Sequence, residues 1–526
     1  MPVILTSDKA VFQNTGRRLA IHADPTTGST IGGLAERLEA AFDRGYELWR
    51  ETAIRLQHQP TSELAHMPTM STYASDFGTM LAWVRVVEEL SKDAAETCVI
   101  CPDPWLYRAL ALIPGITAEP APAIALQRLR FFCRGLLART RAAARCTLAL
   151  WRTRKHRKAT PEDAGWLLVY GHPESNARGR DAYFGTLMAD MPALHRLMHT
   201  DCGADFALKL AADGRTRSLH AWGSIGAALS MPFRRWRPDT SGLEPKIAWL
   251  VKRAAAIEGS GGSAAMTYWQ MHCQAAWLAD ARPQVVCWPW ENHPWERDFV
   301  RRARARQTMT LGYQHTVVGR HMFNQGADAN ADGLASIPDR IVLNGPAYGE
   351  DLRSRGILAS RMTVAGSHRI GGNKLPAYDS SGPVFLALSN NPAFAEQMIQ
   401  AARPLASADR PFLVKDHPLS PYPVTESAHF SATRLPLDQL PPLRALIYCT
   451  GTTGLEGLLA GIPTLRFIPE GGIALDILPA GMQVTSSSAE TLADRLQSEP
   501  APPRHDAITL FPPPDTGTWK TLLQLT

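Results

Sequence analysis

The feature that most limits what this chain can fold into is a series of short, continuously apolar runs, each closed by small or polar residues and followed by a helical pattern. Val384-Phe385-Leu386-Ala387-Leu388 ends in Ser389-Asn390-Asn391, Phe412-Leu413-Val414-Lys415 ends in Asp416-His417-Pro418, and Ala445-Leu446-Ile447-Tyr448-Cys449 ends in Thr450-Gly451-Thr452-Thr453-Gly454. Runs of this length without polar alternation are strands buried on both faces, as in parallel sheets. With further runs at 340–345, 362–366 and 464–467 they predict repeated β-α units, and so a doubly wound α/β domain over 331–510.

The same pattern recurs upstream with wider spacing. Trp166-Leu167-Leu168-Val169-Tyr170 stops at Gly171-His172-Pro173-Glu174, and strands at 284–288 and 309–313 stop at Glu291-Asn292-His293 and Gln314-His315. These predict a second Rossmann-like domain within 1–330. Its first hundred residues are expected to be a helical extension, with Leu34, Leu38, Phe42, Tyr46 and Trp49 along one face and one short strand at 98–101. The small, polar stretch 326–333 is the expected linker, and 511–526 a helix packing back on the first domain. A chain of 526 residues needs two cores, because single cores stop growing near ~250–300 residues.

In a doubly wound sheet the carboxyl ends of neighbouring strands share one crevice, so the loops there carry the chemistry. The turn Thr450-Gly451-Thr452-Thr453-Gly454-Leu455-Glu456 combines glycines, hydroxyls and a helix start, a combination suited to an anion. It is neither a phosphate loop of the Walker type nor a dinucleotide fingerprint, and by itself it serves equally as a Thr-capped helix. Lys415 and His417-Pro418 end a neighbouring strand, and Ser389 and Asn390 a third, so all could meet the same ligand.

In the first domain, Trp288-Pro289-Trp290-Glu291-Asn292-His293-Pro294-Trp295-Glu296 is dense in sugar-stacking and proton-transferring side chains. Glu291 is the first candidate for catalytic base or nucleophile. Trp290 and His293 are candidates for acceptor contact; the alternative is a Trp core whose carboxylates pair with Arg297, Arg301 or Arg302. Gln314 and His315 could orient that acid or bind a donor carboxylate. His172, Arg178 and Arg180 could hold an acidic sugar, with Asp181 and Glu174 as reserve acids.

The His-Pro at one strand end and the Thr/Gly turn downstream resemble the nucleotide half of bacterial GT-B transferases that use CMP-activated acidic sugars, the sialyl- and Kdo-transferases of capsule and lipopolysaccharide assembly. Teichoic acid polymerases are similar in the same places. The likeness covers roughly 310–470, and 451–463 is close to the surface-polysaccharide branch. It implies that His417, Thr452 and Thr453 hold the nucleotide phosphate, while the N-terminal domain supplies the acceptor site and the catalytic carboxylate. The sialyltransferases carry an acidic pair before Gly; here only Ala212-Asp213-Gly214 and Ala331-Asp332-Gly333 come near it, so the acid does not transfer by motif.

Charge adds one more expectation. The formal net charge is +6, yet 128–158 alone holds eleven Lys or Arg and no Asp or Glu, with Phe131, Phe132 and Trp151 interleaved. Such a helix suits an anionic membrane interface, or else a solvated, partly docked face. No nucleic-acid module is visible. No run approaches the ~20 apolar residues of a membrane span, and the first residues lack a secretory leader, so a cytoplasmic protein, peripheral at the inner face of the membrane, is expected. The eight cysteines, including Cys98-x-x-Cys101, are expected as reduced buried thiols rather than a zinc site. No Asp-x-Asp motif stands out, and neither metal nor cofactor is expected. The expected activity is therefore glycosyl transfer from a CMP-sugar. The alternatives are a sugar-nucleotide epimerase, a polyol-phosphate transferase, or a non-catalytic glycan or membrane-assembly subunit.

Overall fold

The computed structural model describes residues 3–22, 28–158, 161, 164–368, 375–417, 420–479, 481–498 and 505–524. Their strands form three sheets, and every strand pair within them is parallel.

The C-terminal sheet contains β12 (Val384–Ala387), β13 (Phe412–Lys415), β14 (Phe430–Ala432), β15 (Ala445–Tyr448), β16 (Thr464–Phe467) and β17 (Thr485–Ser487), in the order β14-β13-β12-β15-β16-β17. The chain builds outward from β12 in one direction, then returns to lay β15 on its other side. That is the Rossmann order, with its topological switch between β12 and β15.

The middle sheet repeats the plan with one strand more. It holds β5 (Gly165–Val169), β6 (His195–Met198), β7 (Thr216–Ser218), β8 (Val285–Pro289), β9 (Met309–Gln314), β10 (Arg340–Leu343) and β11 (Met362–Val364), ordered β11-β10-β9-β8-β5-β6-β7. Its switch lies between β5 and β8. The two doubly wound units expected from the sequence are both present.

Two expectations need correcting. The first hundred residues are not a helical extension alone: β1 (Val3–Thr6), β2 (Arg18–Ala20), β3 (Thr97–Ile100) and β4 (Ile116–Ala118) form a third sheet, ordered β2-β3-β1-β4. β3 answers to the strand expected at 98–101, while β1, β2 and β4 were not expected; β2 and β4, with three residues each, carry too little pattern to be seen in sequence. The helices Leu34–Arg44 and Phe77–Leu90 cover this sheet; Leu38, Phe42 and Trp49 are buried as expected, although the helix breaks at Gly45.

The division between the larger units also lies elsewhere. Both β10 and β11 pair within the middle sheet, so the chain changes sheet between Val364 and Val384, not at 330. The stretch 326–333 is no linker: Ala329 and Asn330 are buried, and Asn292 Nδ2 reaches Asn324 O at 2.6 Å, Asn330 Oδ1 at 2.9 Å and Gly326 O at 3.3 Å. A small, polar sequence can be buried when its polar groups are matched in this way.

The C-terminal helix Thr516–Leu522 returns to the middle sheet. Trp519 is fully buried, donates its indole N–H to Ala365 O at 3.1 Å, and packs edge-on to Tyr313 at 5.3 Å. Among the described residues no helix is long and apolar enough to cross a membrane. Cys98 and Cys101 are buried thiols.

Candidate active site

Strands β5, β6 and β8 are neighbours in the parallel middle sheet, and the loops after them line a cleft of about 830 Å³ at the β5/β8 switch. After β5 come Tyr170 and Gly171; after β6, His199 to Asp201; after β8, Glu291 and His293. A helix covers one side, through Arg145, Leu148 and Arg152 of Ala125–Thr153. His66 enters from the first unit.

Glu291 is the centre of this group. Its Oε2 lies 2.6 Å from His293 Nε2 and its Oε1 lies 3.6 Å from His315 Nε2, while a third of its side chain faces the cleft. His315 is buried, and the Tyr183 ring lies edge-on to it at 5.2 Å. His172 is next along, edge-on to Tyr183 at 6.2 Å. Three residues singled out from different loops, His172, Glu291 and His315, are thus joined through a tyrosine that the sequence reading passed over.

The loop is held from below. Glu296, fully buried, accepts the backbone N–H groups of Glu291, Asn292 and His293 at 3.1–3.2 Å and the Trp288 indole N–H at 2.8 Å. The motif is a capping box at the start of the helix Pro294–Arg304. Asn292 sits at φ 56°, in the left-handed region that asparagine tolerates better than most residues. The carboxylate at 296 therefore positions the loop, and the one at 291 faces the cleft.

The protonation states differ sharply around this group. Burial acts to lower His293, but the hydrogen bond and charge of Glu291 outweigh it and hold the imidazole above its ordinary pKa. His66, whose ring lies 6.0 Å from that of His293, is pushed down to about 4, by burial first and then by the charge on His293. Of two neighbouring imidazoles one is thus shifted toward its cation and the other toward its neutral form, the kind of separation that acid–base sites use.

Other candidates fall away from the cleft. Trp290 is fully buried, and Gly312 makes room for it, since a Cβ there would stand 2.9 Å from its ring; it is core rather than a stacking platform. Trp295 lines the cleft instead, with the His199 ring at 5.2 Å. Asp181 is buried, accepts the backbone N–H groups of Tyr183 and Phe184, and pairs with buried Arg196 at 3.4 Å. Asp213 completes that ion cluster at 3.2 Å. The Gln314 amide is engaged internally, accepting from Asn344 N at 3.1 Å and donating to Thr316 O. Arg178 and Arg180 are exposed. Glu174 is exposed too, with its backbone N–H donating to His172 Nδ1 at 3.3 Å.

The second group lies at the β12/β15 switch of the C-terminal sheet. Ala387 of β12 pairs with Tyr448 of β15, which brings Ser389 and Thr450, each two residues further along, to the same sheet edge. Gly451 has φ 135° and open space where a Cβ would be, so the turn is reachable by a ligand. Gly454 has a different reason: a Cβ there would stand 2.2 Å from the Tyr448 ring, so glycine seats the Thr453–Leu459 helix on the sheet. Lys415 donates to Leu435 O at 2.9 Å, and its charge acts on Glu456, which burial raises above its ordinary pKa. Burial lowers His417, with Asp416 opposing. Asn390 is exposed beside Ser389, and Pro418 lies outside the described residues.

No protein family and no curated protein matches the chain. Solved structures that align with it include HepE of Anabaena in complex with UDP and glucose, at 10% identity and a TM-score of 0.32, over 64% of this chain and 89% of that one. The glycosyltransferase SnogD from Streptomyces nogalater aligns at 10% identity and a TM-score of 0.36, over 69% and 99%. A UDP-GlcNAc 2-epimerase from Neisseria meningitidis bound to UDP-GlcNAc aligns at 10% and 0.32, over 57% and 81%. Likenesses this distant do not decide function, and the strand orders above carry the fold.

Proposed function

We propose that this protein is a GT-B-type glycosyltransferase that moves an acidic sugar from a CMP-activated donor to a surface glycan or glycolipid. The observation that carries the proposal is Glu291, hydrogen-bonded to His293 and facing an 830 Å³ cleft at the switch point of a Rossmann-ordered sheet. A second switch point in the same chain gathers Ser389, Thr450 and the open Gly451 turn. Support for CMP comes from the resemblance of His417 and the Thr/Gly turn to the CMP-sugar transferases.

In this reading the donor phosphate rests on the Gly451 turn, within reach of the Thr452 and Thr453 hydroxyls and His417. As the anomeric C–O bond breaks, its electron pair leaves with CMP, and those donors stabilise the growing charge. The acceptor hydroxyl lies in the cleft and gives its proton to Glu291 as its oxygen bonds the anomeric carbon. The hydrogen bond from His293 holds the Glu291 carboxyl in place at the cleft until the acceptor arrives. No metal or other cofactor has a role in these steps. The partners are a nucleotide sugar, a glycan or lipid-linked acceptor and an anionic membrane surface at 128–158, with no nucleic acid.

Thermal-shift titration with CMP, CDP, UDP and GDP tests the donor. CMP is expected to raise Tm most, in wild type and Glu291→Gln alike, while sugar transfer is lost only in the variant. Preference for UDP or GDP would overturn the CMP assignment. No response to any nucleotide would overturn the transferase reading, and conversion of a nucleotide sugar without acceptor would replace it with epimerisation.

A further inference from the structure

A second pocket, of about 620 Å³, lies at the other end of the long Ala125–Thr153 helix, between its first turns, the segment 235–238 and the helix Pro245–Glu258. Its walls are aromatic. Trp105 stacks on Phe131 at 5.9 Å with their planes 4° apart, and Phe132, Trp236 and Trp249 complete the lining. Set among them are Arg128, Arg235, Arg237 and Lys252, and no Asp or Glu lines the pocket. Arg235 stands over the Phe132 ring at 5.4 Å and Lys252 over Trp249 at 4.8 Å. None of the four cations forms an ion pair among the described residues.

Four unneutralised cations in one pocket repel each other unless an anion joins them. The crowding shows on Arg235, which burial and then the charges of Arg237 and Arg128 hold below the ordinary arginine range. Large apolar side chains close to the lining residues in the chain stand in solvent. Leu126 is 76% exposed and Leu129 58% on the long helix, and Phe233 is 70% exposed beside Arg234 and Arg235. The turn carrying Phe233 is fixed to the helix by Arg139, which is buried and donates to Pro232 O at 2.9 Å. Exposed side chains of this size do not gain from water, and bases set behind them suit a headgroup layer.

We infer that this pocket binds the phosphate headgroup of an anionic phospholipid, with Leu126, Leu129 and Phe233 entering the acyl boundary. A free phosphate ion would use the cations but not the exposed apolar side chains. A neutral lipid would use those side chains but leave the cations unmatched. The inference does not depend on glycosyl transfer: a protein that binds vesicles yet responds to no nucleotide loses the transferase reading and keeps this one.

Vesicle flotation of the full chain tests it. Binding is expected to phosphatidylcholine vesicles containing phosphatidylglycerol and not to phosphatidylcholine alone. Arg235→Glu/Lys252→Glu is expected to lose about tenfold or more of the partitioning, since each base near an anionic surface contributes about 1 kcal/mol. Phe233→Ser is expected to weaken binding without changing its preference for phosphatidylglycerol, and Arg50→Glu, far along the chain, to bind as wild type. Equal binding to neutral vesicles, or full binding by the double variant, would overturn the inference. So would displacement of the wild type from vesicles by millimolar inorganic phosphate at constant ionic strength, an arm that needs no variant to fold.

Discussion

Asn292 donates its side-chain amide to Asn330 Oδ1 at 2.9 Å, so the loop that carries Glu291 and the buried stretch after β9 hold one another in place. Substituting Asn292 with alanine removes those bonds, leaves buried acceptors unmatched and puts a Cβ-bearing residue without a local hydrogen bond at φ 56°. We expect a loss of about 2–3 kcal/mol by denaturant unfolding. Asn292→Gly should lose about 1 kcal/mol less, because glycine accepts a positive φ. Equal losses would show that backbone strain plays no part.

Glu291→Gln keeps the shape of the side chain and removes its charge. Turnover should fall by about 10²–10⁴, the usual worth of a positioned general base. A linked effect on stability follows from His293, whose pKa in the folded protein lies above 6.5 because of this carboxylate. A raised imidazole stabilises the fold fully below its unfolded pKa, and the stabilisation is lost as pH rises through the folded value. The variant should therefore be less stable than wild type at pH 5.5 and approach it as pH rises through the raised pKa of His293, as followed by thermal unfolding.

His220 gives a pH dependence of the opposite sign. The Trp269 indole can only donate, and it donates to His220 Nδ1 at 3.0 Å, so that nitrogen must be unprotonated. Burial holds the residue down at about 4 against an ordinary 6.5. The unfolded chain then binds the extra proton first, and the fold should lose stability as pH falls from about 6.5 to 4, by on the order of 3 kcal/mol. His220→Gln should flatten that part of the pH profile; an unchanged slope would assign the acid sensitivity to other groups, with His66 the next to test.

These sites show what could be read in advance. The two Rossmann sheets were legible because β5, β8, β12, β13 and β15 are continuous apolar runs with clear polar ends. Glu291, His293 and His315 were legible for the same reason, as residues just past strand ends. What stayed hidden depends on contacts between distant segments. Tyr183 and His66 lie in irregular stretches and reach the cleft only through the fold. Trp290 looked like a sugar platform because sequence cannot tell a buried tryptophan from an exposed one. Asp181 looked available because Arg196, its partner, lies on another strand.

Arg466 ties all three units together, and its removal should be the most damaging change away from the cleft. It projects from β16 and is almost completely buried, pairing with Glu39 of the first unit and donating to Ala474 O at 2.8 Å and Ser486 Oγ at 2.9 Å. Glu39 also meets Arg320 of the middle unit at 2.6 Å, and Arg320 reaches Asp476 at 3.0 Å. Both arginines touch the same acid, but Arg320 is half exposed and Arg466 is not. Water replaces the lost partner of an exposed pair, so Arg320→Ala should cost no more than about 1 kcal/mol. Removing a buried partner leaves the acceptors around it dry, so Arg466→Met should cost about 3–5 kcal/mol. Adding Glu39→Gln to Arg466→Met should restore part of that loss, because the charge left behind is then gone. Denaturant midpoints of the four proteins decide the matter, and equal losses for Arg320→Ala and Arg466→Met would mean that burial is not what makes this contact hold the units together.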